Sequence, residues 1–213
     1  RGAARSRRGA AGARRRRRSA AFEWLPNIHE LISGVKRPAD LRLPRQRLVT
    51  RFGHRFVRAE VARIDAAKGQ LTTVAGRPFA FDVCIVAVGG VNETFGVRGA
   101  DRCALPFKSV DDCAAIGRKL AAIARRPGKR SVVIVGGGLE GIEALGEILR
   151  RYRNRAGLGI TVVEAGASLL PGMPARLEAA VRAHCAGRNV RILTNSPVTS
   201  VTPARVRLRS GET

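Results

Sequence analysis

Residues 131–164 hold the residue types and spacing best suited to chemistry. An apolar run VVIV leads into Gly136-Gly137-Gly138-Leu139-Glu140-Gly141, followed by IEALGEILRRYR and a second apolar run, ITVV, closed by Glu164. A strand, a glycine-rich turn, a helix and a second strand ending in an acid make a dinucleotide-binding βαβ unit. Gly136 permits the tight turn, Gly138 lets a pyrophosphate approach the backbone, and Gly141 lets helix and strand pack closely. Gly137, Leu139 and Glu140 complete the candidate cofactor loop, and the helix N-terminus behind it offers free N–H groups to phosphate oxygens. Glu164 lies 23 residues beyond Gly141, where a carboxylate can accept hydrogen bonds from the adenosine ribose hydroxyls. An acid there repels a 2′-phosphate, so NAD(H) is favoured over NADP(H).

The competing account of this turn is packing alone, since glycine-rich strand-to-helix turns also serve that end. Glu140 and Glu143 stand in the first helical turn, where the helix dipole favours carboxylates whatever is bound. Glu143 is nevertheless the candidate catalytic residue. It lies one turn in from the loop, towards the space a nicotinamide or flavin fills if a second nucleotide domain stands opposite. His29, His54 and His184 have no ligand spacing and read as structural or exposed. Asp111 and Asp112 read as helix-cap residues, and Phe22 and Trp24 as core aromatics.

The elements around this unit follow from pattern. FEWLPNIHELISG predicts a short helix over 27–31 stopped by Gly34, and 47–81 alternates around turns at Lys68-Gly69 and Ala75-Gly76, predicting strands in a meander. The run 84–88 is apolar at every position, which predicts a strand buried on both faces. Ser109 can cap a helix that Asp112 supports and Pro127-Gly128 ends. Helices are expected over 139–153 and 175–186, a strand over 190–193 and a hairpin in the tail.

The net charge of +24 suggests nucleic acid until it is located: residues 1–18 hold nine arginines and no acid, and without them +15 remains, scattered along the chain. This argues against a focused recognition surface, so nucleic acid is not the expected partner. Residues 1–20 cannot bury enough apolar surface to offset ordering entropy, and disorder is expected there. The tract reads as a solvated tail or leader, with an anionic-surface contact and a transit peptide as alternatives. Cys84, Cys103, Cys113 and Cys185 form no CxxC or CxxxxC pair, so neither a zinc site nor a redox dithiol is expected. No run is long enough to span a bilayer. A first residue that is arginine rather than methionine suggests a fragment or processed product.

In this order the motifs resemble the FAD-dependent pyridine nucleotide-disulfide oxidoreductase superfamily, in particular its type II NADH dehydrogenase-like branch. The resemblance runs from Phe22 to the C-terminus. FDVCIVAVGG looks like the family strand that approaches the flavin, VVIVGGGLEGIEALGEIL like the second glycine-rich motif, and VVEAGASLLPGM like the ribose-binding strand and loop. FEWLPNIHELISG and ALPFKSVDDC resemble two further stretches of the branch.

The resemblance implies an α/β FAD/NAD(P)-binding fold in which a Rossmann-like NAD(H) domain, 109–213, is inserted in a partial FAD domain, 21–108, after the disordered tail 1–20. Gly136, Gly138, Gly141 and Glu164 would hold NADH, with Glu143 near the nicotinamide. Ala87, Val88 and Gly89 would touch FAD, and Val61 would contact the adenine through its backbone. Hydride would pass from NADH to flavin and on to an acceptor such as a quinone. The implied location is cytoplasmic, with peripheral attachment to the inner face of the membrane in the complete protein.

Three departures qualify it. The CxxxxC pair of the disulfide reductases is missing, the first FAD motif should precede Phe22, and the closing FAD motif should follow Thr213. An incomplete chain that binds NADH better than FAD is therefore expected. The alternatives are a non-catalytic NAD-binding fragment and polyanion binding through the Arg tract.

Overall fold

An apolar strand followed by an amphipathic helix and another apolar strand can bury its surfaces only as a parallel sheet with helical cover. The structure, a computed structural model, describes residues 21–153, 155 and 157–211 and realises that arrangement. The expectation for residues 1–20 lies outside the described residues. Two compact units emerge, one of residues 23–42 with 92–211 and one of 21–22 with 43–91.

The elements in chain order are β1 (Ala21–Glu23), α1 (Glu30–Ser33), β2 (Arg42–Pro44), α2 (Arg45–Thr50), β3 (Val61–Asp65), β4 (Gln70–Thr73), β5 (Pro78–Ala80), α3 (Ala100–Cys103), α4 (Val110–Ala124), β6 (Arg130–Val135), α5 (Leu139–Tyr152), β7 (Leu158–Val163), α6 (Ala175–Cys185), β8 (Val190–Leu193), β9 (Val198–Val201) and β10 (Val206–Leu208). In the larger unit β6, β7 and β8 form a parallel sheet in that order, with β7 in the middle. Central placement buries one face of β7 throughout, Leu158, Ile160 and Val162, while the other carries half-buried Gly159 and Thr161 and buried Val163.

The core joins this strand to three helices. Leu145, Ile148 and Leu149 of α5, Val110, Cys113 and Leu120 of α4, and Leu31 and Ile32 of α1 form one cluster with β7. Each large aliphatic side chain so buried contributes about 1.5–3 kcal/mol. Close approach of α1 depends on Gly117 in α4, where an added Cβ would stand 2.6 Å from the Leu31 carbonyl oxygen. Ser109 caps α4 by accepting from the Asp112 N–H at 3.2 Å. A further acid reaches the same turn, because Glu23 Oε2 accepts from the Val110 N–H at 3.1 Å, and Arg42 ties it to Asp111 at 2.7 Å.

In the smaller unit β3, β4 and β5 form an antiparallel meander. Gly69 and Gly76 sit in its turns at φ +56° and +79°, a conformation glycine adopts without steric cost. The tail hairpin is β9 and β10.

Four expectations fail. The run 84–88 is not a strand buried on both faces: it carries no ladder, and Ile85 and Val88 are 86% and 89% exposed. Apolar composition demands cover but does not supply the neighbouring strands that make a ladder. Residues 47–50, expected in the meander, instead belong to the helix α2, with Pro44 fixing the entry and Arg45 and Val49, four apart, half-buried. Trp24 and Phe22 are exposed rather than core, and the Trp24 indole donates to Asn27 Oδ1 at 2.8 Å. The helix expected over 27–31 is a 3₁₀ turn at Leu25–Asn27 followed by α1. Gly34 does end it, at φ +81°.

Candidate functional site

β6 ends at Val135, and the backbone turns at once into α5. Gly136 takes φ +107° while its N–H donates to the Val163 carbonyl at 2.8 Å, tying the turn to the central strand. Gly141 lies against this turn so closely that an added Cβ would be 2.0 Å from the Gly136 carbonyl oxygen. Gly138, by contrast, has no heavy atom within 4 Å of its would-be Cβ. It is also the N-cap of α5 and makes no side-chain cap bond. With a glycine at the N-cap no side chain occupies the first-turn N–H groups, an arrangement suited to phosphate oxygens.

Glu164 follows β7 directly, and both of its carboxylate oxygens are held. Oε2 accepts from the Gly137 N–H and Oε1 from the Gly166 N–H, each at 2.7 Å. The acid is therefore fixed beside the glycine turn before anything binds. The loop that follows is equally determined: the Leu170 N–H donates to the Gly137 carbonyl at 2.9 Å, and Leu169 is fully buried against the position of a Gly137 Cβ. Leu170 holds φ +50° to make that contact, a strained conformation for a branched side chain. Gly166, Leu169 and Leu170 were not singled out by sequence. They lie in the stretch VVEAGASLLPGM, whose resemblance to a ribose-binding strand and loop does not say which of its residues close on the turn.

On the first turn of α5, Glu140 is bonded to the Lys108 ammonium rather than left to the helix dipole alone. Glu143 lies 3.7 Å from Nδ1 of His29, and that nitrogen is buried with no hydrogen-bond partner. Of the two readings given to His29, structural or exposed, its half-buried place beside Glu143 fits the structural one. Burial pushes the Glu143 carboxyl above the ordinary range, His29 pulls it back, and the Glu140 charge adds to the rise. One turn further on, Glu147 is buried and accepts from the Ser33 hydroxyl, which fastens α1 to α5. Cys113 is buried nearby, its thiol pushed up to about 12 chiefly by desolvation.

The Glu143 shift has a testable sign. A carboxyl with a raised folded pKa binds its proton more tightly folded than unfolded, so stability declines as pH climbs from about 4.3 to the raised value. Glu143→Gln, neutral throughout, is expected to lack that decline in urea titrations run from acid to neutral pH. Parallel pH profiles for the two proteins would contradict it.

The remaining candidates lie in the smaller unit. Ala87, Val88 and Gly89 are exposed, with Gly89 at φ +74°. Val61 begins β3 and is 48% exposed.

A profile of the family described as pyridine nucleotide-disulphide oxidoreductase matches residues 15–212. The chain belongs to this family. It is similar to the type II NADH:quinone oxidoreductase of Staphylococcus saprophyticus, at 32% identity over 160 residues that cover 68% of this chain and 40% of that protein. The chain thus spans less than half the length of that relative. Among solved structures, the NDH2 of Plasmodium falciparum in complex with NADH matches with a TM-score of 0.72 at 20% identity, over 90% of this chain and 44% of that one. The sulfide:quinone oxidoreductase of Aquifex aeolicus matches with a TM-score of 0.75 at 20% identity, over 91% of this chain and 48% of that one. These likenesses establish the α/β FAD/NAD(P)-binding oxidoreductase fold for the family member described here. Among the described residues, no helix is long and apolar enough to cross a membrane.

Proposed function

We propose that this chain is the NADH-binding part of a flavoenzyme that passes hydride from NADH to FAD and electrons on to a quinone. One observation carries the reading: an acid at the end of the second parallel strand, fixed by the Gly137 and Gly166 N–H groups beside an uncapped helix N-terminus. The open approach at Gly138 fits a pyrophosphate, and the preset carboxylate fits two ribose hydroxyls. Gly136, Gly137, Gly138, Leu139, Glu140 and Gly141 are assigned to the cofactor loop.

In this reading residues 109–213 make the NAD(H) domain and 21–108 part of the FAD domain. Ala87, Val88, Gly89 and Val61 would hold FAD, and the exposed apolar stretch around Val88 fits contact with a flat apolar ring. The flavin would supply the two-electron chemistry. This chain's residues bind and orient NADH, and Glu143 sets charge near the nicotinamide. Quinone as acceptor follows the relatives named type II NADH:quinone oxidoreductase, and peripheral membrane attachment in a cytoplasmic protein belongs to the same reading. The gene product containing this chain is expected to purify with bound FAD whose absorbance NADH bleaches and a quinone restores. A product that takes up NADH but no flavin would leave the chain an NAD-binding module.

A further inference from the structure

Four arginines line a separate cleft of about 430 Å³ in the larger unit: Arg98, Arg102, Arg205 and Arg207. Its geometry is set by backbone pairing. Arg98 bridges Ser200 in parallel, with the Val201 N–H donating to the Arg98 carbonyl at 2.8 Å. On the other side of β9, Arg207 of β10 stands opposite Ser200. Residues directly opposite in a ladder project to one face, so Arg98, Ser200 and Arg207 form a row across three extended segments. Arg205 lines the same cleft from the hairpin turn and Arg102 from α3.

The approach of the Arg98 segment requires Gly99. Its φ is +79°, and an added Cβ would lie 2.3 Å from the Val201 carbonyl oxygen. The cleft is therefore the product of a close backbone contact rather than of loosely arranged surface charges.

Some arginines elsewhere are paired with acids, Arg42 with Asp111, Arg63 with Asp65 and Arg182 with Glu178; what sets the cleft apart is that four guanidinium groups line one cavity. The four in the cleft are exposed and, among the described residues, have no carboxylate within ion-pair distance. Like charges converging on one cavity repel each other, and a multivalent anion relieves that repulsion. The guanidinium fork matches phosphate oxygens in pairs. We propose that this cleft binds a phosphate-bearing anion, separately from the dinucleotide turn, with which it shares no residue. A free polyphosphate and a lipid phosphate headgroup present the same chemistry.

The test uses the full 213-residue chain and compares proteins that all retain the arginines of residues 1–18. Tripolyphosphate is titrated with hydrogen exchange followed by mass spectrometry, and sedimentation with phosphatidylglycerol vesicles is set against phosphatidylcholine vesicles. Bound tripolyphosphate is expected to slow exchange over 96–104 and 198–208, and R98Q/R207Q to lose that protection with about tenfold weaker binding. If only the phosphatidylglycerol vesicles bind in an arginine-dependent way, the ligand is the headgroup. If only tripolyphosphate does, it is a free anion. Should R98Q/R207Q unfold, R205E at the exposed hairpin turn provides the same comparison. Equal binding and exchange in native and variant chains for both probes overturns the proposal.

Discussion

Gly141→Val is expected to abolish saturable NADH binding and to destabilise the chain by about 3 kcal/mol, at the upper end for forcing methyl groups into a packed site. The cause is local. A Cβ at 141 would stand 2.0 Å from the Gly136 carbonyl oxygen and 3.5 Å from Ile134 Cγ2, so α5 must move away from β6. That displacement opens the turn whose N–H groups would meet the pyrophosphate. Urea unfolding reads the first effect and NADH fluorescence the second. Gly138→Ala provides the contrast: its added methyl meets nothing within 4 Å, so the fold should persist while the approach to the phosphate is obstructed. If Gly141→Val kept both stability and binding, the packing described for the turn would be wrong.

Glu164→Ala is expected to weaken NADH binding about tenfold to a hundredfold, because each hydrogen bond to a charged acceptor is worth about 1.5–3 kcal/mol. The variant should also discriminate less between NADH and NADPH, since the charge that repels a 2′-phosphate is gone. Stability should fall as well. The Gly137 and Gly166 N–H groups both lose their acceptor; Gly166 is exposed and water can replace it, whereas Gly137 is buried, and a buried donor left unpaired costs about 1–3 kcal/mol. Glu164→Gln, which keeps an oxygen acceptor, is expected to recover most of the stability and little of the cofactor preference. Normal NADH affinity in Glu164→Ala would remove the ribose assignment.

What was legible in the sequence was whatever depends on local pattern. α5 was expected over 139–153 and is found at Leu139–Tyr152, while β8 falls on 190–193 as expected. Ser109 caps α4 as its position before an alanine-rich run suggests. Glycine spacing also located the turn, because the steric demands on Gly136 and Gly141 are imposed by neighbours a few residues away.

What was not legible depends on contacts distant in the chain. The pairing of His29 with Glu143 and of Ser33 with Glu147 requires that α1 pack on α5, and no spacing rule links residues more than a hundred positions apart. The apolar run at 84–88 states a need for burial without stating what provides it. Residues 47–50, the start of the stretch expected to form strands, are too few for periodicity to separate strand from helix. The arginine row of Arg98, Ser200 and Arg207 arises from register across a hairpin and a bridge. In the sequence those charges merged into a dispersed basic background.

The central claim is that the glycine turn and Glu164 form a site for NADH rather than a packing arrangement. Equilibrium fluorescence titration of the purified chain with NADH, alongside NADPH, tests it most directly. The account predicts saturable NADH binding with NADPH at least about tenfold weaker, owing to the like charge of Glu164 and a 2′-phosphate. No saturation at millimolar NADH, or NADPH binding as tightly as NADH, would contradict it.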